Sequence, residues 1–352
     1  MKTTKSVSTL LIVALMLAGC GTPETQDPSA ATQASAQSLA LAERAGAPLF
    51  DGMGQYEMPI TTQDADAQRY FNQGMVLAFA FNHAESIRSF RAAQTLDPTC
   101  AMCFWGEALA TGPNINVTSK GKVIMAPAER EAAYAALQQA IARQGNASPR
   151  EQGYISALAN RYNGDVNSDR TPLDLAWAEA MGELATAYPE DMTAASIYAE
   201  ALMNTMPWNY WSDDGIAKPE TSEVIAALDR VLDVEPNHPL ALHLYIHALE
   251  ASNDPGRAEA AADRLANLVP GAGHLVHMPS HIFYRVGRYN DAAIANQRAA
   301  DVDEAYIAAC NAQGFYPALY YPHNIHFLWA ASTMQGQSAV SIESARRVVA
   351  NV

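Results

Sequence analysis

Along most of the chain, apolar residues recur at steps of three and four, the spacing that keeps side chains on one face of a helix. The pattern opens near Ala67, where Tyr70, Gly74, Leu77, Ser86, Phe90 and Ala93 fall in order before Asp97-Pro98. Proline disfavours helix in the residue before it, so the second helix of this unit is predicted to stop there. Large Tyr70 and Leu77 beside small Gly74 predict two helices in close approach. From Pro239 the same offsets hold Leu242, Tyr245, Ile246, Leu249, Ala258 and Pro270. A third copy starts at Gly273, with residues 287–292 making its turn and opening its second helix. A fourth starts near Pro322, with Gly336 at the turn. Less regular copies begin near Ala101 and Met192, the latter continued by residues 220–233 and stopped by Glu235-Pro236. Residues 112–122 and 207–218 read as loop insertions. No alternating strand pattern is visible.

A helix hairpin repeated at about 34 residues has the period of the tetratricopeptide repeat. Several copies in phase predict an all-α fold, a tetratricopeptide-type α-solenoid of helix hairpins with loop insertions, over residues 61–352. Solenoids need a polar cap on their last apolar face. The sequence shows none before Val352, so further chain, an unusual cap or a partner is expected to complete that end.

The N-terminus reads differently. Lys2 and Lys5 precede an apolar run over 7–17, a stretch too short to span a bilayer and of signal-peptide length. Leu17-Ala18-Gly19-Cys20 resembles the bacterial lipobox, which implies a signal peptide over 1–19 and lipidation of Cys20 as the mature N-terminus; an ordinary secretory signal with an incidental cysteine is the alternative. The body is then expected in the cell envelope, facing the periplasm and held to the membrane through Cys20. Gly21 after the anchor is compatible with outer-membrane sorting. Residues 20–60 are expected to form the lipidated cysteine and a flexible tether, because 21–47 are rich in Ala, Thr, Ser, Gln and Pro and can bury little apolar surface.

Losing Lys2 and Lys5 takes the formal charge from −15 to −17. Nucleic acid is excluded as a partner, since phosphate binding needs a basic footprint. An oxidising compartment makes Cys100 and Cys103 candidates for a local disulfide. Metal and redox roles are the alternatives, and the motif lacks the strand–helix context of a thioredoxin-like site. Cys310 has no obvious mate.

Seven of the nine histidines lie in the last three repeats, in a shared phase. Counted within each repeat, His274 and His323 are second, His243, His277 and His326 fifth, His247 and His281 ninth, and Glu250 twelfth. Resemblance to tetratricopeptide repeats implies that these first-helix positions line the concave groove. Packed helices lie about 8–10 Å apart, so imidazoles from neighbours can share an ion. The expected cofactor is a transition metal (copper, zinc or iron), bound by His243, His247, His277, His281 and His326, with His274, His323, Glu250 and Glu200 as further donors. Both 243–247 and 277–281 are HxxxH pairs, but Leu244 and Met278 stand where a zinc protease needs Glu. The donors outnumber what one four-coordinate structural zinc requires, which suggests two ions or an open site able to polarise substrate or activate water or oxygen. The alternatives are an anion pocket of protonated histidines and simple aromatic packing. Pro279 threatens the shared face: a helix starting there would leave His274 and His277 in a loop.

Other residues say less. His83 sits at a hairpin turn and Glu107 near a helix interface, both structural in aspect. Residues 112–116 make a loop able to cover one end of the groove, without the spacing of a phosphate loop. Trp208, Tyr210 and Trp211 could form an apolar wall. No nucleophile spacing is present, so no catalytic residue is assigned.

The phrases Phe79-Ala-Phe-Asn-His83, Ser89-Phe-Arg-Ala-Ala93, Cys100-Ala-Met-Cys-Phe-Trp-Gly-Glu107, Gly112-Pro-Asn-Ile-Asn116, His277-Met-Pro-Ser-His281 and Tyr321-Pro-His-Asn-Ile-His326 resemble a family of largely uncharacterised bacterial tetratricopeptide proteins. They are distantly similar to eukaryotic tetratricopeptide repeat protein 38. The resemblance spans roughly 65–350 and implies the fold, with no reaction attached. Tetratricopeptide grooves commonly receive peptides, so a metal-free peptide- or protein-binding scaffold of the envelope is the competing expectation.

Overall fold

A computed structural model describes residues 28–350 of the chain. The expected signal peptide and Cys20 lie outside the described residues. A first helix, α1 (Pro28–Ala45), leads into α2 (Ala65–Phe79) and α3 (His83–Leu96), then α4 (Ala101–Thr111) and α5 (Pro127–Arg143). Next come α6 (Pro149–Leu158), α7 (Arg170–Ala187), α8 (Met192–Thr205), α9 (Pro219–Val234), α10 (Pro239–Leu249) and α11 (Glu259–Leu265). The last third holds α12 (Gly273–His277), α13 (Pro279–Arg285), α14 (Tyr289–Cys310), α15 (Tyr321–Met334) and α16 (Ser338–Ala350). From α2 onward these pack as seven successive hairpins among the described residues, with α12 and α13 together serving as one arm. The all-α hairpin array is the expected one.

Local chemistry sets the helix ends. Asp64 accepts from the backbone N–H groups of Asp66 and Ala67 to start α2. Ser148 and Glu151 form a capping box on α6. Phe90 is fully buried between helices, and a Cβ built on Gly74 would lie 2.7 Å from its ring, with Gly106 of α4 closer still. Two glycines on successive first helices therefore make room for one aromatic ring.

The hairpin α6–α7 was absent from the sequence expectation. Its connection, 159–169, carries no repeat signature, and tertiary contacts hold it instead: Trp105 Nε1 donates to Tyr154 O at 3.0 Å. The insertion after α4 contains a two-stranded ribbon, Thr118–Ser119 with Lys122–Val123.

The tether is corrected over its later part. Residues 28–45 are helical, and the chain up to Ile60 is fastened to the solenoid. Tyr70 donates to Ala47 O, Gln73 Oε1 accepts from Phe50 N at 2.7 Å, and Gly271 N donates to Gly52 O at 2.9 Å. Buried Met58 and the edge-on contact of Tyr56 with Phe79 supply the apolar anchors that 21–47 lack.

The array curls until its first hairpin meets its later ones. The turn after α2, carrying Phe79 to Phe81, lies against α10, and Tyr306 of α14 bonds Asn82 and Glu85 beside it. The histidine-bearing stretch of the inner face is thereby covered. Cys100 and Cys103 are joined as a disulfide at the start of α4, and Cys310 is a free, half-buried thiol. No helix among the described residues is long and apolar enough to cross a membrane.

Candidate metal centre

His243 and His247 sit one turn apart on α10, both buried. Pro279 does break the next arm, yet Met278 keeps helical dihedrals (φ −50°, ψ −40°) and its N–H still reaches His274 O at 3.0 Å. Proline at the first position of α13 forfeits a donor without turning the chain away. His274 and His277 therefore stay on a short helix, and the shared face survives. From α15, His323 joins them.

Two groups result. His243, His247 and His274 each present a ligand atom, all within 4.8 Å of one another, and His277, His281 and His323 do the same. The groups adjoin: the His274 and His277 ring centroids are 5.7 Å apart, those of His247 and His281 5.5 Å.

The hydrogen bonds fix which nitrogen faces inward. His243 Nδ1 lies 2.6 Å from Phe79 O, and His247 and His281 place Nδ1 at 2.8 and 2.7 Å from the two oxygens of Glu250. His277 Nδ1 is 2.6 Å from Asn296 Oδ1, and that amide is oriented by its own bond to Ala292 O. Carbonyl and carboxylate oxygens only accept, so all four rings donate through Nδ1, which leaves Nε2 as the nitrogen a neutral ring offers to an ion. Nε2 of His243 and His247, and both nitrogens of His274, are buried without a partner. Nε2 of His277 and of His281 face each other at 2.9 Å. Two lone pairs at that separation repel; a second proton on one ring or an ion between the two relieves the contact, and tetrahedral ligands at about 2.0–2.1 Å from one ion stand about 3.3 Å apart.

Electrostatics favour the neutral form for most of these rings. Burial first, then neighbouring imidazoles, push His243, His274 and His277 well below the ordinary histidine range and His323 down to about 3. Burial raises the Glu250 carboxyl, but His281 and the bonds from His247 and His281 outweigh it and keep that group ionised.

Aromatic rings wall the cluster. Phe81 packs on His243 (4.6 Å between centroids), His274 (5.4 Å) and His247 (6.3 Å). Trp208 stands edge-on to His247, Tyr320 to His274, and Phe327 contacts His277, His281 and His323. Phe81 and Trp208 both hold positive φ, 55° and 62°. That conformation costs a bulky residue on the order of 1–3 kcal/mol, and such strain gathers at functional sites.

Three expected ligands are placed elsewhere. His326 is exposed and stacks on Trp329, outside both groups. The π-helical turn Tyr316–Tyr320 runs directly into α15, and its wider winding resets the helix phase, so His323 faces inward instead. Glu250 lies behind the rings, with each oxygen engaged by an Nδ1–H, and so fixes the orientation of both. Glu200 belongs to neither group; burial lifts its carboxyl to about 7 against the pull of Arg161. His83 lies apart from both groups: its Nε2 meets Asn114 Nδ2 at 3.1 Å, and burial lowers it to about 4. The 112–116 loop does reach the site, where Asn114 and Asn116 donate to the Tyr320 hydroxyl. Sequence reasoning missed Asn296 and the ring of Phe81. No spacing signals an asparagine on a second helix or a turn 164 residues from the histidine it touches.

No family model matches the chain, and no curated protein does. Among solved structures, the chain is similar to the crystal structure of yeast Tom70, with 11% identity, a TM-score of 0.31, and coverage of 82% of this chain and 70% of that one.

Proposed function

We propose that this chain is an envelope lipoprotein whose curled solenoid holds one or two transition-metal ions, one at His243, His247 and His274 and one at His277, His281 and His323. The observation that carries the reading is the division of labour on His243, His247, His277 and His281: Nδ1 is tied to an oriented acceptor, while Nε2 is buried without a partner on the first two and meets its counterpart on the last two. Metal-bound histidines have this arrangement, the outer partner fixing tautomer and raising basicity. Donors that are all imidazole suit zinc or copper better than iron sites built with a carboxylate. Three histidines leave a zinc ion a fourth position for water or substrate, where the ion would act as a Lewis acid. Burial of these rings argues against the anion pocket of protonated histidines. The cover formed by the 79–81 turn argues against a peptide lying on them.

The deciding experiment is elemental analysis of mature protein purified without a histidine tag. One or two equivalents of zinc or copper, lost in the His277→Ala/His281→Ala double variant with the helical circular dichroism kept, is the expected result. Metal near zero, unchanged in that variant, would leave a scaffold for peptides or proteins. The anchor is tested apart from the metal: Cys20→Ser should move the protein from the membrane to the soluble fraction, and intact mass should show the lipid only on the parent.

A further inference from the structure

Next to the cluster is a cavity of about 270 Å³ between the turn after α2, the 112–126 insertion and the start of the π-helical turn. Phe81 forms its inner wall and touches three of the histidines from its other side. Tyr316, also on the wall, accepts from the backbone N–H of His274 at 3.2 Å. Ile87, Ile124 and Phe315 make much of the remaining wall apolar; no Lys or Arg lines it, and besides Tyr316 its titratable residues are His83, kept neutral by burial, and Glu129. A dry cavity of about 150 Å³ accepts benzene, so this one has room for one or two fused rings. Phe81 and Phe315 offer aromatic faces, against which flat rings stack or stand edge-on. With a carboxylate and no cation at the wall, an anionic guest is disfavoured, while a hydroxyl on the guest finds an acceptor in Glu129 or Asn114.

We infer that this cavity binds a small, uncharged hydroxylated aromatic molecule, held with its ring against Phe81 beside the histidine cluster. Its role as the substrate pocket rests on the metal reading above; its existence as a binding site does not. The insertion that builds it thus has a purpose besides covering the groove.

The test uses the full mature protein, metal-depleted and metal-loaded, titrated with 2-naphthol and with 2-naphthoate by calorimetry. Saturable one-to-one binding of 2-naphthol in both forms, at least tenfold tighter than 2-naphthoate, is expected. Ala84→Trp, at an exposed position lining the mouth, should weaken 2-naphthol binding at least tenfold with unchanged melting temperature and metal content. In the metal-depleted protein, 2-naphthol should shift the ring resonances of His274. Absent binding, equal binding of the naphthoate, or binding unaffected by Ala84→Trp overturns the pocket. Binding without any shift at His274 overturns its placement beside the cluster. A protein that takes no metal yet passes these tests would sink the metal reading alone.

Discussion

The carboxylate of Glu250 joins the rings of His247 and His281, accepting from one at 2.8 Å and from the other at 2.7 Å. Those rings belong to different three-histidine groups and different hairpins, so one side chain sets the orientation of both. Glu250→Gln can accept from only one Nδ1–H without turning a donor toward the other. Metal affinity is expected to fall about 10–100-fold, the usual effect of losing an outer partner. Competition against a chromophoric chelator measures it; an unchanged affinity would show that Glu250 is dispensable to the centre.

His326→Ala should leave metal stoichiometry unchanged and affinity within about threefold, because the ring is exposed on Trp329. His323→Ala should remove at least one equivalent or weaken it beyond tenfold. The two substitutions are three residues apart on one helix, which makes the pair a test of helix phase.

Gly106→Ala adds a methyl where the Phe90 ring already sits. Overpacking of this kind costs about 1–3 kcal/mol, and the small-residue contact with Gly74 blocks easy escape of the ring. Denaturant unfolding should record the loss, while Gly145→Ala, at a site with open space around it, serves as control.

Glu200 gives a pH signature. Its folded carboxyl is raised from 4.5 to about 7 by burial, so between those values the folded state holds a proton that the unfolded chain has released. Stability therefore declines as pH rises through this window, and the deficit is complete above about pH 7. Glu200→Gln should melt close to the parent at pH 4.5 and above it at pH 8, by on the order of 1–2 kcal/mol after allowance for partial exposure. A difference that does not change with pH would contradict the buried, uncompensated carboxyl.

Much of this was legible in the chain. Hairpins with strong periodicity and the stops at Asp97 and Glu235 follow from spacing alone; the convergence of histidines from three hairpins needed the resemblance to tetratricopeptide repeats as well. What spacing could not convey was angular detail and distance. His326 shares a repeat position with His243 and His277, yet the π-helical turn before α15 rotates it outward. Glu250 continues the histidine face, but hydrogen-bonding geometry alone shows it behind the rings. Hairpin α6–α7 went unread because its packing is tertiary, and Phe81 because nothing local links it to α10. The N-terminal segment was misjudged from composition: four bulky residues at 50, 53, 56 and 58 were enough to dock it.

The contact of Phe79 with His243 ties the first hairpin to the fifth. An open array of repeats melts piecemeal, each unit answering only to its neighbours. A ring-like closure denies this chain free inner ends, so loss of the α2 turn should release distant hairpins in the same transition. Hydrogen exchange would register that as protection at α10 and α2 disappearing together, a cooperativity longer in range than the repeats themselves supply.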